Sequence, residues 1–206
     1  MNYNKKMEDI ISSFNGEIKT LLLHSCCAPC SSHVLETLTP YFDITIIYYN
    51  PNIEPYEEYE KRKKEEIRFI NEFPHTNKID IIDCDYDNEK FHDLSKGLED
   101  LREGGARCFK CYNLRLEKTA SEAKKGGYDY FCTTLTVSPY KNSAKLNEIG
   151  EVLEKKYSVK YLYSDFKKNE GYKRSIELSK QYNLYRQDYC GCIFSKQIRD
   201  KEKDSK

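Results

Sequence analysis

Residues 20–32 read Thr-Leu-Leu-Leu-His-Ser-Cys-Cys-Ala-Pro-Cys-Ser-Ser, an apolar run that ends in three closely spaced cysteines. Such a run favours a buried β-strand, and the polar residues after it favour the start of a helix. Along the rest of the chain, short apolar runs alternate with longer amphipathic stretches, as they do in βαβ units. The sequence therefore predicts an α/β fold, an open and mostly parallel five-stranded sheet with helices on both faces.

The alternation places each element approximately. The predicted strands are residues 20–25, 44–50, 79–84, 128–135 and 159–163. The predicted helices are residues 31–38, a segment that Pro55 opens, and residues 112–125, 142–156 and 170–182. We expect one α/β domain over residues 1–198 and a charged, disordered tail over residues 199–206. In such sheets the site lies at the carboxyl edge, where strands end and helices begin.

Composition limits the classes of partner. The 206 residues include 34 Lys and Arg and 34 Asp and Glu, so the formal net charge is zero. No global field attracts DNA or a membrane, and a polyanion must be held by a local patch. The longest apolar run, residues 44–49, is far shorter than a membrane span, and the N-terminal residues do not resemble a signal peptide. We expect a soluble, cytoplasmic protein.

Cysteine is the unusual residue type, with nine in the chain. An odd number of thiols in a reducing cytosol favours metal binding or redox chemistry over a disulfide framework. Cys84 and Cys132 fall in strand patterns and are expected in the core. The other seven form three tight groups: Cys26, Cys27 and Cys30; Cys108 and Cys111; and Cys190 and Cys192.

The first two groups sit at predicted helix starts, where the helix dipole favours a thiolate, the form that binds soft metals. Cys27, Cys30, Cys108 and Cys111 have the spacing of a closed zinc site. The adjacent pair Cys26 and Cys27 instead suits an iron–sulfur cluster, whose iron corners are several ångströms apart. Spacing alone leaves both metals open.

The pair Cys190-Gly-Cys192 has three interpretations, which are metal ligands, a strained and easily reduced disulfide, or neither. We favour a redox, disulfide or ligand role for these two cysteines.

Six blocks in order, spanning about residues 21–195, resemble the QueH family of epoxyqueuosine reductases. They are HSCCAPCS from His24, YNPNIEP from Tyr49 with Arg62, RCFKCYNLRL from Arg107, TTLTVSPYKN from Thr133, DFKK from Asp165 with EGYKRS from Glu170, and YRQDYCGC from Tyr185. The resemblance implies a Rossmann-like three-layer fold similar to that of the PP-loop ATPase domains.

It also implies an oxidoreductase of tRNA queuosine biosynthesis, which removes the epoxide oxygen of epoxyqueuosine at the wobble position as water. The implied cofactors are a 4Fe-4S cluster and an additional mononuclear iron, without cobalamin. Carried over by motif, Cys26, Cys27, Cys108 and Cys111 would hold the cluster and Cys30 the second iron. The implied partners are the tRNA and an external electron donor, with no membrane and no DNA.

Reduction with loss of water needs two protons, and several side chains beside the motifs are candidate donors. With Cys30, we assign Tyr189 and Asp188 to catalysis, and Tyr140 and His24 are further candidates. For contacts to tRNA phosphates we expect these cations: Lys141, Lys167, Lys168, Lys173 and Arg174.

Two other functions fit parts of the sequence. An ATP-dependent PP-loop enzyme, such as a tRNA thiolase, would share the fold, but residues 25–31 lack the glycines that let phosphate approach a backbone. A zinc-stabilised RNA-binding module without enzymatic activity would use the same cysteine pairs.

Overall fold

The computed structural model describes residues 2–204. The strands are β1 (Lys19–His24), β2 (Phe42–Tyr48), β3 (Ile79–Asp83), β4 (Tyr130–Thr133) and β5 (Lys160–Tyr161). The helices are α1 (Tyr3–Ser12), α2 (Ala28–Leu38), α3 (Tyr56–Glu72), α4 (Asn88–Ser95), α5 (Ala106–Gly126), α6 (Ser143–Tyr157), α7 (Gly171–Gln181) and α8 (Ile193–Asp204), with a 3-10 turn over Thr134–Val137.

The strands form one parallel sheet in the order β3-β2-β1-β4-β5. In the register of the central strand, Leu21 lies beside Ile44 of β2 and Tyr130 of β4. This is the order of the first five strands of the doubly wound Rossmann fold. The predicted α/β fold with five parallel strands is confirmed.

Successive residues of β1 face opposite sides of the sheet and so belong to two cores. Leu21 and Leu23 pack with residues of α2 and α3, and Leu22 packs with residues of α5 and α6. All three leucines are fully buried. The helices therefore cover both faces, which produces three layers.

The chain leaves β1 toward β2 on one side of the sheet and later returns to β4 on the other. This reversal of direction opens a crevice at the carboxyl ends of β1 and β4, where doubly wound folds bind their ligands. The loop that carries Cys26 and Cys27 follows β1 directly, and Cys30 lies in the first turn of α2, so the fold places all three in this crevice.

The predicted tail differs from the structure. Residues 199–204 continue α8 as helix, where we expected disorder from residue 199. Asp188 forms ion pairs with Arg199 at 3.3 Å and Lys203 at 2.6 Å, which anchor this helix to the rest of the protein. Residues 205 and 206 of the predicted tail lie outside the described part of the chain.

Helices α1 and α4 were not predicted, because they are short and carry few apolar residues. No helix between residues 2 and 204 is long and apolar enough to cross a bilayer.

Candidate metal centre

The loop between β1 and α2 gathers three sulfur atoms. Cys27 is the N-cap residue of α2, and Pro29 occupies the first turn, where its missing N–H has no cost. The sulfur atoms of Cys26, Cys27 and Cys30 all lie within 4.8 Å of one another. Cys26 and Cys27 are 3.7 Å apart. Soft donors at this separation could hold a metal ion.

The three thiols titrate as a unit. Hydrogen bonds from Cys27 and Cys30 hold the pKa of the Cys26 thiol well below its usual range. The hydrogen bonds to Cys26 raise the pKa values of Cys27 and Cys30. The contacts therefore favour the thiolate on Cys26 over the other two, and metal binding would displace the protons that the thiols carry.

The second pair of cysteines lies in the first turns of α5. Cys108 accepts a hydrogen bond from the Gly104 N–H at 3.2 Å. Cys111 packs with Phe91 and Cys192 in a small buried cluster. Burial raises the pKa of the Cys111 thiol to about 12, so a metal would have to displace its proton.

Tetrahedral zinc places four sulfur atoms roughly 3.8 Å from one another, given Zn–S bonds of about 2.3 Å. Among residues 2–204, only Cys26, Cys27 and Cys30 form a group of three or more metal-binding side chains this tight, and Cys108 and Cys111 are not in it. Within the described residues, the closed zinc site of Cys27, Cys30, Cys108 and Cys111 is therefore not pre-formed, whereas Cys26, Cys27 and Cys30 could hold a metal.

A cavity of about 520 Å³ opens beside these cysteines. Cys26 and Cys30 from the first group and Cys190 from the third lie in its wall, together with Arg115 and Lys141. Segments that are distant in the chain therefore meet at one cavity at the carboxyl edge of the sheet.

The expected disulfide between Cys190 and Cys192 is not formed, since all nine cysteines are free thiols. The two side chains have different partners. The Cys190 sulfur lies 2.8 Å from Lys141 Nζ, whereas the Cys192 sulfur accepts the Ser195 N–H at 3.4 Å. Gly191 between them has φ +121°, a conformation that favours glycine.

The candidate proton donors have defined partners. The Tyr189 hydroxyl donates to the Glu54 carbonyl at 2.6 Å, and burial raises the pKa of Tyr189. Asp188 is paired with Lys203, which lowers the pKa of Asp188. Both residues line the cavity, as does Tyr140, which is 74% exposed.

His24 is placed differently from the other candidates. It is fully buried, and its ring nitrogens lie 3.0 Å from Thr133 Oγ1 and 3.1 Å from the Tyr49 carbonyl oxygen. Burial lowers the pKa of His24 to about 3, so the ring is neutral at physiological pH. Its role is to connect β1, β4 and the end of β2.

Most of the cations expected to bind tRNA are ion-paired. Lys167 pairs with Asp165 at 2.7 Å, Lys173 with Glu170 at 2.7 Å and Arg174 with Glu36 at 2.6 Å. Lys168 lies at the edge of a second, smaller pocket between α1 and α2.

Lys141 is not a surface cation. Its side chain is 8% exposed and lies 2.8 Å from Glu103, inside the cavity. It therefore lies with Cys190 in the wall of the cavity, and its predicted contact with the tRNA stays a prediction.

Sequence reasoning assigned no role to several charged residues of the site. Arg62 is buried, pairs with Glu58 at 2.7 Å and donates to the Cys190 carbonyl at 3.3 Å. Gln187 donates to the Cys27 sulfur at 2.9 Å. Arg115 is buried one turn after Cys111. The sequence does contain a pattern that could have indicated the two arginines. Arg62 and Arg115 each fall on the mostly apolar face of their helix.

The fold and this site define a class, namely Rossmann-type α/β proteins with a cysteine cluster that could bind a metal at the switch point of the sheet. The family model described as "Epoxyqueuosine reductase QueH" matches residues 21–198. The chain belongs to this family of oxidoreductases.

Relatives named "Epoxyqueuosine reductase QueH" align over most of this chain. The protein from Staphylococcus epidermidis is 47% identical over 95% of this chain and 84% of its own length. The one from Streptococcus pyogenes serotype M1 is 41% identical over 97% and 80%. The one from Thermotoga maritima is 40% identical over 85% and 90%.

Among solved structures, a predicted subunit of tRNA methyltransferase from Methanocaldococcus jannaschii superimposes with a TM-score of 0.49 at 14% identity. The alignment covers 90% of this chain and 88% of that one.

Proposed function

We propose that this protein reduces epoxyqueuosine in the wobble position of tRNA to queuosine, removing the epoxide oxygen as water. The observation that carries the proposal is that Cys26, Cys30 and Cys190, from two separate cysteine groups, line one cavity in a chain 40–47% identical to three reductases of that name. A cavity of about 520 Å³ is within the size range of small-molecule sites and suits a flipped modified base.

In this proposal Cys26, Cys27, Cys108 and Cys111 hold a 4Fe-4S cluster, and Cys30 binds the second iron. The donor set supports this assignment, because iron–sulfur clusters are held by thiolates. The sulfur atoms of Cys26, Cys27 and Cys30 already lie within 4.8 Å of one another. When bound, the iron centre would supply electrons one at a time and a Lewis acid for the epoxide oxygen.

The chain's own residues would then bind the base and manage protons. Burial keeps the Tyr189 hydroxyl protonated at neutral pH, so it enters the reaction as a donor. Asp188 stays ionised beside Lys203 and is suited to orient polar groups of the substrate. Two electrons must come from an external donor for each oxygen removed.

For the tRNA, we assign phosphate contacts to Lys167, Lys168, Lys173 and Arg174. The ion pairs of Lys173 and Arg174 are solvent-exposed, and exposed pairs contribute about 0–1 kcal/mol, so phosphates can replace these carboxylates. Tyr140, at the cavity wall and 74% exposed, is suited to stack on a neighbouring base.

The test is anaerobic reconstitution with iron and sulfide, followed by metal analysis, EPR spectroscopy and mass spectrometry of epoxyqueuosine-containing tRNA. We expect a reducible cluster and conversion to queuosine without ATP. Cys111→Ser should abolish both, and Cys84→Ser, which alters a cysteine outside the site, should preserve both. Stoichiometric zinc with no conversion, or a requirement for ATP, would contradict the proposal.

A further inference from the structure

Arg115 is a buried cation without a counter-ion of its own. The residue is 2% exposed, and its Nη2 has no hydrogen-bond partner among residues 2–204. Its recorded hydrogen bond runs from Nε to the Cys111 carbonyl oxygen at 3.3 Å. A buried, unpaired charge costs several kcal/mol, so a structure that retains one requires compensation from elsewhere.

The other buried cations of this region do have partners. Arg62 pairs with Glu58 at 2.7 Å, and Lys141 pairs with Glu103 at 2.8 Å. Arg107 donates to the carbonyl oxygens of Leu98 and Glu99 at 2.8 and 2.6 Å. No Asp or Glu in the described chain forms an ion pair with Arg115.

Three cysteines lie in the neighbourhood of Arg115, on the cavity wall and on its own helix. Arg115 lies in the cavity wall with Cys26 and Cys190, and its backbone is one helical turn from Cys111. Arg115 is therefore linked to all three cysteine groups, by the cavity wall that it shares with Cys26 and Cys190 and by its hydrogen bond to the Cys111 carbonyl oxygen.

We propose that Arg115 is a positioning residue of the metal centre, whose unpaired guanidinium compensates the thiolate charge and raises the reduction potential of the group that the cysteines hold. The inference rests on the proposed function, because it requires an anionic centre at these sulfur atoms. Reduction adds a negative charge, which a nearby cation in a water-poor site stabilises.

The experiment compares the reconstituted wild type with Arg115→Gln, Arg115→Lys and Lys118→Gln. Arg115→Gln removes the charge and Arg115→Lys keeps it. Lys118→Gln removes a solvent-exposed charge from the same helix, where Lys118 is paired with Glu122. The readouts are iron per chain and the reduction potential, measured by EPR-monitored titration.

We expect Arg115→Gln to lower the ratio of reduced to oxidised centre about tenfold or more at a fixed potential. This change corresponds to a reduction potential lower by about 59 mV for a one-electron couple. Arg115→Lys and Lys118→Gln should stay close to the wild type. An unchanged potential in Arg115→Gln with full iron content would overturn the inference and leave the proposed function intact.

If Arg115→Gln fails to retain iron, the iron content of Arg115→Lys tests whether the charge of residue 115 is what the centre requires. Retention by the Lys variant supports a role of the charge, whereas equal loss in both variants shows that shape matters and overturns the inference. A wild-type protein that takes up no iron and sulfide would overturn the proposed function and this inference together.

Discussion

Lys141 Nζ lies 2.8 Å from the sulfur atom of Cys190, and this contact joins two segments that are 49 residues apart. The ammonium group is nearly enclosed, and its other partner, Glu103, is also at 2.8 Å. Burial alone would lower the pKa of Lys141, but the charges of Cys190 and Glu103 raise it well above its usual range. A permanent cation therefore faces a cysteine sulfur in the wall of the cavity.

Lys141→Met should make Cys190 less reactive, because its sulfur atom loses the buried ammonium group 2.8 Å away, and a neighbouring cation promotes cysteine reactivity. We expect alkylation of Cys190 by iodoacetamide in metal-free protein at pH 7 to slow about tenfold, which corresponds to about 1.4 kcal/mol. Peptide mass spectrometry would measure the rate. Lys110→Met, at an exposed position of α5, is the matched control. Equal rates in both variants would refute the role of the contact.

Cys30→Ala should separate the two proposed metals. We expect the variant to retain the cluster and its visible absorption but to lose more than about 100-fold in turnover, since loss of even an outer partner of a metal ligand costs 10–100-fold. Iron and sulfide analysis with an activity assay would measure both. Cys84→Ser, a half-buried cysteine outside the three-sulfur group, should behave as wild type. Normal turnover of Cys30→Ala would remove this residue from the mechanism.

Glu66 makes stability depend on pH. It is fully buried, and desolvation raises its pKa to about 8 from 4.5. The folded protein therefore keeps Glu66 protonated while the unfolded chain ionises, so the stabilising contribution is full below pH 4.5 and is lost as the pH rises toward 8. Its slope is at most about 1.4 kcal/mol per pH unit.

Glu66→Gln should remove this decline and be more stable than the wild type at pH 8. Urea unfolding midpoints at pH 5, 6.5 and 8, at equal metal content, would measure it. Glu57→Gln, which alters an exposed position of the same helix, should run parallel to the wild type. If the Glu66→Gln curve is also parallel to the wild type, Glu66 is not the group responsible.

The double variant Lys173→Ala and Arg174→Ala should weaken tRNA binding and its dependence on salt. Each phosphate contact removed lowers the slope of log K against log salt by about 1. Fluorescence titration of an anticodon stem–loop at salt concentrations between 50 and 200 mM would measure this slope. Affinity changes strongly over this range when several phosphates are contacted. Lys96→Ala, at an exposed lysine that directly follows α4 and pairs with Asp93, is the control. An unchanged slope would exclude this surface from the interface.

The sequence by itself determined the sheet and the position of the first cysteines. Leu21, Leu22 and Leu23 are apolar on both sides of a strand, which only a sheet covered on both faces can bury. Cys27 and Cys108 lie at the beginnings of helices that local signals indicate, such as Pro29. These features follow from periodicity and from turn and cap preferences, which act over a few residues.

Tertiary structure alone decided which charges and sulfur atoms meet. Lys141 was expected at a phosphate surface and lies inside the cavity, and Cys190 pairs with it and not with Cys192. Arg115 was one residue within a recognised block, and packing made it a buried cation among cysteines. The distance between remote segments and the dielectric around a charge are properties of the packed molecule, so no local pattern in the sequence records them.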